Sequence, residues 1–200
     1  SIEGTALHRR GDGTWELFIS SEKVRDYPSG LREFRKAGSG VWSIDVMTGP
    51  SIDALDPGTI RTALREDDDP AYLHIKDPVV YDAPGGATHL VHCSHPFGWS
   101  SANTGLAVRE KGSDDFVLRE KQLVERGPAW DVASTRLTCR MPIPPVGVFA
   151  DAPASYVFFY DGLECVREHD QSSRGVTRPR GYSCEELGGA MVGCCAEFPR

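Results

Sequence analysis

The chain has 200 residues, 40% of them hydrophobic, and a formal net charge of −7. That is enough for one sizeable core or two small ones. The acidic balance argues against a duplex or a membrane surface as partner, since both select a basic face. Apolar runs stay far short of the roughly 20 residues of a membrane span; Tyr156-Val157-Phe158-Phe159-Tyr160 is among the longest.

Ser1-Ile2-Glu3-Gly4 runs straight into patterned sequence and does not resemble a signal peptide, so a cytoplasmic location is slightly favoured. Six cysteines, at 93, 139, 165, 184, 194 and 195, form no C-x-x-C pair and read as reduced thiols. Arginine outnumbers lysine 17 to 5, which reads as coding bias in a GC-rich genome, not as phosphate recognition.

Runs rich in Val, Phe, Tyr, Trp and Thr, broken by Gly, Pro, Asp or Ser, predict strands in chain order. They fall at Thr5-Arg9, Thr14-Ser21, Gly40-Met47, Asp77-Tyr81, Thr88-Ser94, Thr104-Arg109, Leu118-Val124, Thr135-Met141, Tyr156-Tyr160 and Gly189-Cys195. Asp12-Gly13 marks a hairpin turn between the first two. Helix signals are thin: a turn or two at Ile52-Leu55 and Thr59-Arg65, and a polar helical loop at Glu164-Gln171.

A repeat emerges when Gly13-Thr14-Trp15-Glu16-Leu17-Phe18-Ile19-Ser20 is laid over the segments starting at Ala87 and Ala154, at offsets of 74 and 67 residues. Each segment follows a shorter strand, and the first two precede a third. Strand, turn, strand, loop, strand and outer strand is the layout of a β-propeller blade. The expected fold is therefore all-β, a single propeller domain with blades at about 2–70, 71–130 and 131–200. Three blades fall short of the four or more that close a ring. The expectation is a piece of a longer protein, or closure by a homo-oligomer or a second chain.

Ile2-Glu3-Gly4-Thr5 with Asp12-Gly13-Thr14-Trp15-Glu16-Leu17-Phe18-Ile19-Ser20-Ser21 resembles the blade start of five-bladed propeller glycosidases, the family 43 and family 32 glycoside hydrolases and their relatives. Lys76-Asp77-Pro78-Val79-Val80 resembles the arginine-aspartate-proline motif of the family 32 branch, and Phe159-Tyr160-Asp161-Gly162 a tyrosine-aspartate-glycine segment of a later blade. The resemblance implies a funnel in which carboxylates from different blades act on a carbohydrate ligand as acid, base or stabilising anion. Glu3, Asp77 and Asp131 are the candidate catalytic carboxylates, Glu3 and Asp77 standing one blade offset apart. His74, Arg136, His95, Trp99 and Trp130 are the candidate substrate contacts. If Glu3 corresponds to the acid of the family's third blade, the other two acids belong to blades outside these residues. The alternative is a non-catalytic carbohydrate-binding or assembly propeller. Glu164-Cys165 resembles the family 32 acid motif but follows the wrong strand and is read as coincidence.

No metal or other cofactor is expected. His89, His92, His95 and Cys93 invite a zinc reading, but strand alternation turns residue 92 away from the rest. Glu66-Asp67-Asp68-Asp69 offers calcium ligands and reads more simply as a solvated loop. G-x-S-x-G, Walker and dinucleotide motifs are absent.

Overall fold

Large apolar side chains at alternating positions, with β-branched and aromatic residues dominating, set this chain into strands. The computed structural model describes residues 1–25, 27, 30, 40–65, 73–95, 101–163, 167–168, 182–183 and 186–194, and these carry no α-helix. The first sheet is β1 (Ile2–Arg9), β2 (Trp15–Lys23), β3 (Val41–Gly49) and β4 (Asp56–Leu64), antiparallel and hydrogen-bonded in chain order. The second repeats that order with β5 (Ile75–Asp82), β6 (Thr88–Ser94), β7 (Asn103–Arg109) and β8 (Val117–Val124). The third begins with β9 (Ser134–Pro142) and β10 (Ser155–Leu163). A two-stranded pair follows, β11 (Arg167–Glu168) and β12 (Tyr182–Ser183), and β13 (Glu186–Cys194) then pairs with the far side of β10.

Each of the ten predicted strands corresponds to one in the structure, Thr88-Ser94 with the same ends and the others with ends shifted, and Cys195 lies outside the described residues. The Asp12-Gly13 turn is as expected: Asp12 Oδ1 accepts from the Thr14 amide at 2.9 Å, and Gly13 sits at φ +91. The predicted helical stretch Thr59-Arg65 is instead part of β4, while Ile52–Ala54 forms a single 3-10 turn. Thr59 Oγ1 bonds back to Thr48, the strand pairs with β3, and Leu64 is drawn into the core. The predicted helical loop at Glu164-Gln171 lies outside the described residues, apart from β11.

The sheets pack face to face in sequence. Phe18, Ile44, Val46 and Leu64 of the first meet Ile75, Leu90 and Ala107 of the second. The second sheet's other face brings Tyr81 and Val91 against Leu137 and Phe158 of the third. The Arg140 guanidinium lies 4.3 Å from the Tyr81 ring centre and 3.5 Å from that of Tyr156. Three stacked antiparallel meanders are consistent with propeller blades; no closed ring is formed among the described residues.

Pairing register corrects the repeat. Ile2 faces Ser21 as Ile75 faces Ser94, and Ala6 faces Phe18 as Val79 faces Val91. The offset between the first two sheets is thus 73, one less than the sequence overlay. Glu3 therefore matches Lys76, and it is Gly4 that matches Asp77. Both Gly4 and Asp77 sit in a bulge, where the register shifts between Glu3 and Thr5 and between Lys76 and Val79.

Candidate functional site

The first strands of the three sheets converge on one open cleft of about 230 Å³. Its lining is Gly4 and Thr5 of β1, Asp77, Pro78 and Val79 of β5, and Arg136, Leu137 and Thr138 of β9. The bulges turn the backbone at the cleft. Gly4 takes φ +40, a conformation glycine tolerates best, and Asp77 takes φ +55, unusual for any residue with a Cβ. The Asp77 amide donates to Ser20 Oγ at 2.8 Å, and the Ser20 hydroxyl donates to the Gly4 carbonyl at 3.1 Å. One buried hydroxyl thus ties together the bulges of two neighbouring sheets.

Asp77 and Arg136, both singled out from sequence, are brought together. Arg136 Nη1 lies 3.6 Å from Asp77 Oδ2, and Arg136 Nη2 donates to Asp161 Oδ2 at 2.9 Å. Asp77 Oδ2 is buried and has no hydrogen-bond partner among the described residues. Glu3 adjoins the cleft, and its carboxylate is ion-paired with Lys76, whose ammonium also lies 5.1 Å from the Trp42 ring centre.

The other candidates sit elsewhere. His74 does not line the cleft: it is fully buried, with Nε2 3.1 Å from the Tyr27 hydroxyl. Burial, with the Lys76 charge nearby, pushes it down to about 4. His95 is half-buried, its Nδ1 3.2 Å from the Ser101 carbonyl and its Nε2 3.6 Å from Cys93 Sγ. Burial, followed by the Lys76 and His74 charges, pushes it down to about 3. Both rings are neutral near pH 7. Asp131 is buried ahead of β9 and accepts from the Tyr160 hydroxyl at 3.4 Å, away from the cleft lining. Trp130 stacks on Tyr160 at 5.5 Å and 23° and lies on Gly162 and Gly189, where a Cβ would collide with its ring. Trp99 and Glu66-Asp69 lie outside the described residues. Among the described residues no group of three or more His, Cys, Asp or Glu side chains is placed to hold a metal, and Cys93 and Cys139 are free thiols.

Lys76, Asp161 and Ser20 stood in the motifs read from sequence but were given no role in the site. Asp161 carried a usable signal, since it lies directly across from Arg136 once β9 and β10 are in register. Lys76 and Ser20 act between sheets, and no spacing along the chain reveals that.

No protein-family model and no curated protein matches the chain. Among solved structures, one described as a complex of BT0996 and RGII aligns with a TM-score of 0.55 at 10% identity, covering 97% of this chain and 54% of that one. An endo-1,4-beta-xylanase from Bacteroides thetaiotaomicron VPI-5482 aligns at TM-score 0.45 and 11% identity, over 94% of this chain and 59% of that one. The chain thus spans little more than half the length of either. The first alignment shows a shared fold.

Proposed function

We propose that the three sheets are consecutive blades of a five-bladed propeller, and that their cleft is part of a glycosidase-like funnel acting on a glycan. The single observation that carries this reading is the convergence of three inner strands on Asp77. Its carboxylate is held by a left-handed bulge, with one buried oxygen still able to accept a hydrogen bond. In this reading Asp77 accepts from a sugar hydroxyl or stabilises a developing positive charge, Arg136 fixes it electrostatically, and Glu3 is the acid. Asp131 and Trp130 buttress the cleft's third strand. The BT0996 structure, whose description includes RGII, supports a carbohydrate as ligand.

The ion pair of Lys76 with Glu3 favours a second reading, in which the funnel binds a glycan without cleaving it. Lys76 occupies the Glu3 carboxylate, so substrate must displace that ammonium before Glu3 can reach a glycosidic oxygen. The experiment is a chromogenic glycoside panel run beside direct glycan-array binding on wild-type, Glu3→Gln and Asp77→Asn proteins. Cleavage lost in both variants supports the enzyme. Binding without cleavage, lost in Asp77→Asn and kept in Glu3→Gln, supports the binding module. Neither binding nor cleavage by the wild-type protein would sink both readings.

A further inference from the structure

Four residues beyond Gly4 on β1, the seam between the first and second sheets holds an ionic cluster that the cleft does not use. His8, 7% exposed, has a carboxylate at each ring nitrogen. Nδ1 is 2.9 Å from Glu16 Oε2 on β2, and Nε2 is 3.0 Å from Asp82 Oδ1 on β5. Ionised carboxylates only accept hydrogen bonds, so both contacts need an N–H, and only the imidazolium carries two.

The surroundings balance that charge. Glu16 is fully buried and receives a bidentate pair from Arg109 on β7, Nη1 to Oε1 at 2.6 Å and Nη2 to Oε2 at 2.7 Å. Arg109 also reaches Thr88 of β6 at 3.3 Å. Arg10, just past β1, lies 3.9 Å from Glu16 Oε1 and donates to Asp114 at 2.8 Å. Asp12 Oδ2 lies 3.8 Å from Arg10 Nε, so the carboxylates of Glu16, Asp82, Asp114 and Asp12 stand against Arg10 and Arg109, and a charged His8 brings the cations to three against four. Of the two carboxylates on His8, Glu16 is locked by Arg109, whereas the Asp82 side chain is 57% exposed and can be rehydrated.

We propose that His8 is a pH-operated latch between the first two sheets, bridging Glu16 and Asp82 as an imidazolium and releasing Asp82 when it loses its proton. Neutral His8 keeps Nδ1–H on Glu16 and turns the Nε2 lone pair toward the Asp82 carboxylate, converting an attraction into a repulsion. Burial opposes the charged ring, but the hydrogen bonds and charges of Glu16 and Asp82 outweigh it and raise His8 above its ordinary 6.5. A raised histidine contributes stability in full below 6.5 and loses it as pH rises through the higher folded value. The latch is therefore closed in mildly acidic solution and opens on the alkaline side.

The test is nitrogen-15 NMR of the His8 ring, with thermal unfolding between pH 5 and 9, on wild-type and Asp82→Asn chains. The expected wild-type ring carries two N–H groups at pH 6.5 and titrates above it. Asp82→Asn moves that midpoint down toward 6.5 and flattens the alkaline fall in Tm. A His8 midpoint at or below 6.5 in the wild-type protein overturns the latch, as does one that Asp82→Asn leaves unmoved. The ring titration is read on the wild-type chain alone, so it decides even where the variant folds poorly.

Discussion

Asp77 holds a backbone angle of φ +55 in which a Cβ is strained, and Gly4 faces it with φ +40. A Cβ added at Gly4 would stand 2.5 Å from Asp77 Oδ1 and 3.2 Å from Ser20 Oγ. Gly4→Ala therefore meets both a strained angle and a collision, and is expected to destabilise by about 1–3 kcal/mol in denaturant unfolding. A change under half that size would mean the two bulges are loosely coupled. Asp77→Asn keeps a residue type that tolerates the left-handed region and removes the charge. It is expected to unfold within about 1 kcal/mol of wild type and, under the proposed function, to lose glycan affinity. Glu16 sets the acid limit. Burial alone would raise its carboxyl, but the hydrogen bonds from Arg109 and His8 win and bring it down to about 2. A lowered carboxylate contributes fully above its ordinary 4.5 and loses that contribution as pH falls toward about 2. Glu16→Gln leaves Arg109 a buried cation without its anion and His8 with Asp82 alone, and is expected to cost about 3–5 kcal/mol at pH 6. Urea unfolding reads this directly, and a loss under 1 kcal/mol would show that water reaches the seam.

At the scale of the strands, the seams rest on a few aromatic side chains. Phe18 and Phe158 are fully buried, one at each seam, and truncation of either to Ala is expected to cost about 3–5 kcal/mol. Equal denaturation midpoints for Phe158→Ala and wild type would mean that the third sheet is not held by its packing. Strands such as β2, β6 and β10 were legible because each concentrates β-branched and aromatic residues between turn formers. β4 was not: it reads Asp-Pro-Gly-Thr-Ile-Arg-Thr-Ala-Leu, largely exposed, and only pairing with β3 makes it a strand. The one-residue slip lies in β2 and β6, where the overlay matched Thr14 with Thr88 by residue type while the ladders match Trp15 with Thr88. Carried back to β1 and β5, that slip made Glu3 look equivalent to Asp77, and the bulges, one extra residue in each strand, leave the true offset unchanged. Arg136 was singled out from sequence and lines the cleft beside Asp77, whereas His74 was not legible as buried, because Tyr27 covers it from 47 residues away.

The sheets differ in how their outer faces are covered. Leu90, fully buried against the first sheet, has Leu17 as its equivalent at the 73-residue offset, and Leu17 lies on the first sheet's outward face in register with Leu7 and Met47. At the other end, Met141, Val157 and Val192 stand side by side across the third sheet, next to Cys139, Phe159 and Ala190. Phe159 is 40% exposed and Val192 63%. Contiguous apolar faces of this kind mark interaction surfaces. In the proposed propeller both belong against further blades. The isolated chain should then bind a hydrophobic dye, and Phe159→Glu with Val192→Glu should lower that binding. Stability should change by no more than about 0.5 kcal/mol for each, as for surface substitutions elsewhere. A loss of several kcal/mol that depends on protein concentration would show instead that copies of the chain already cover one another's faces.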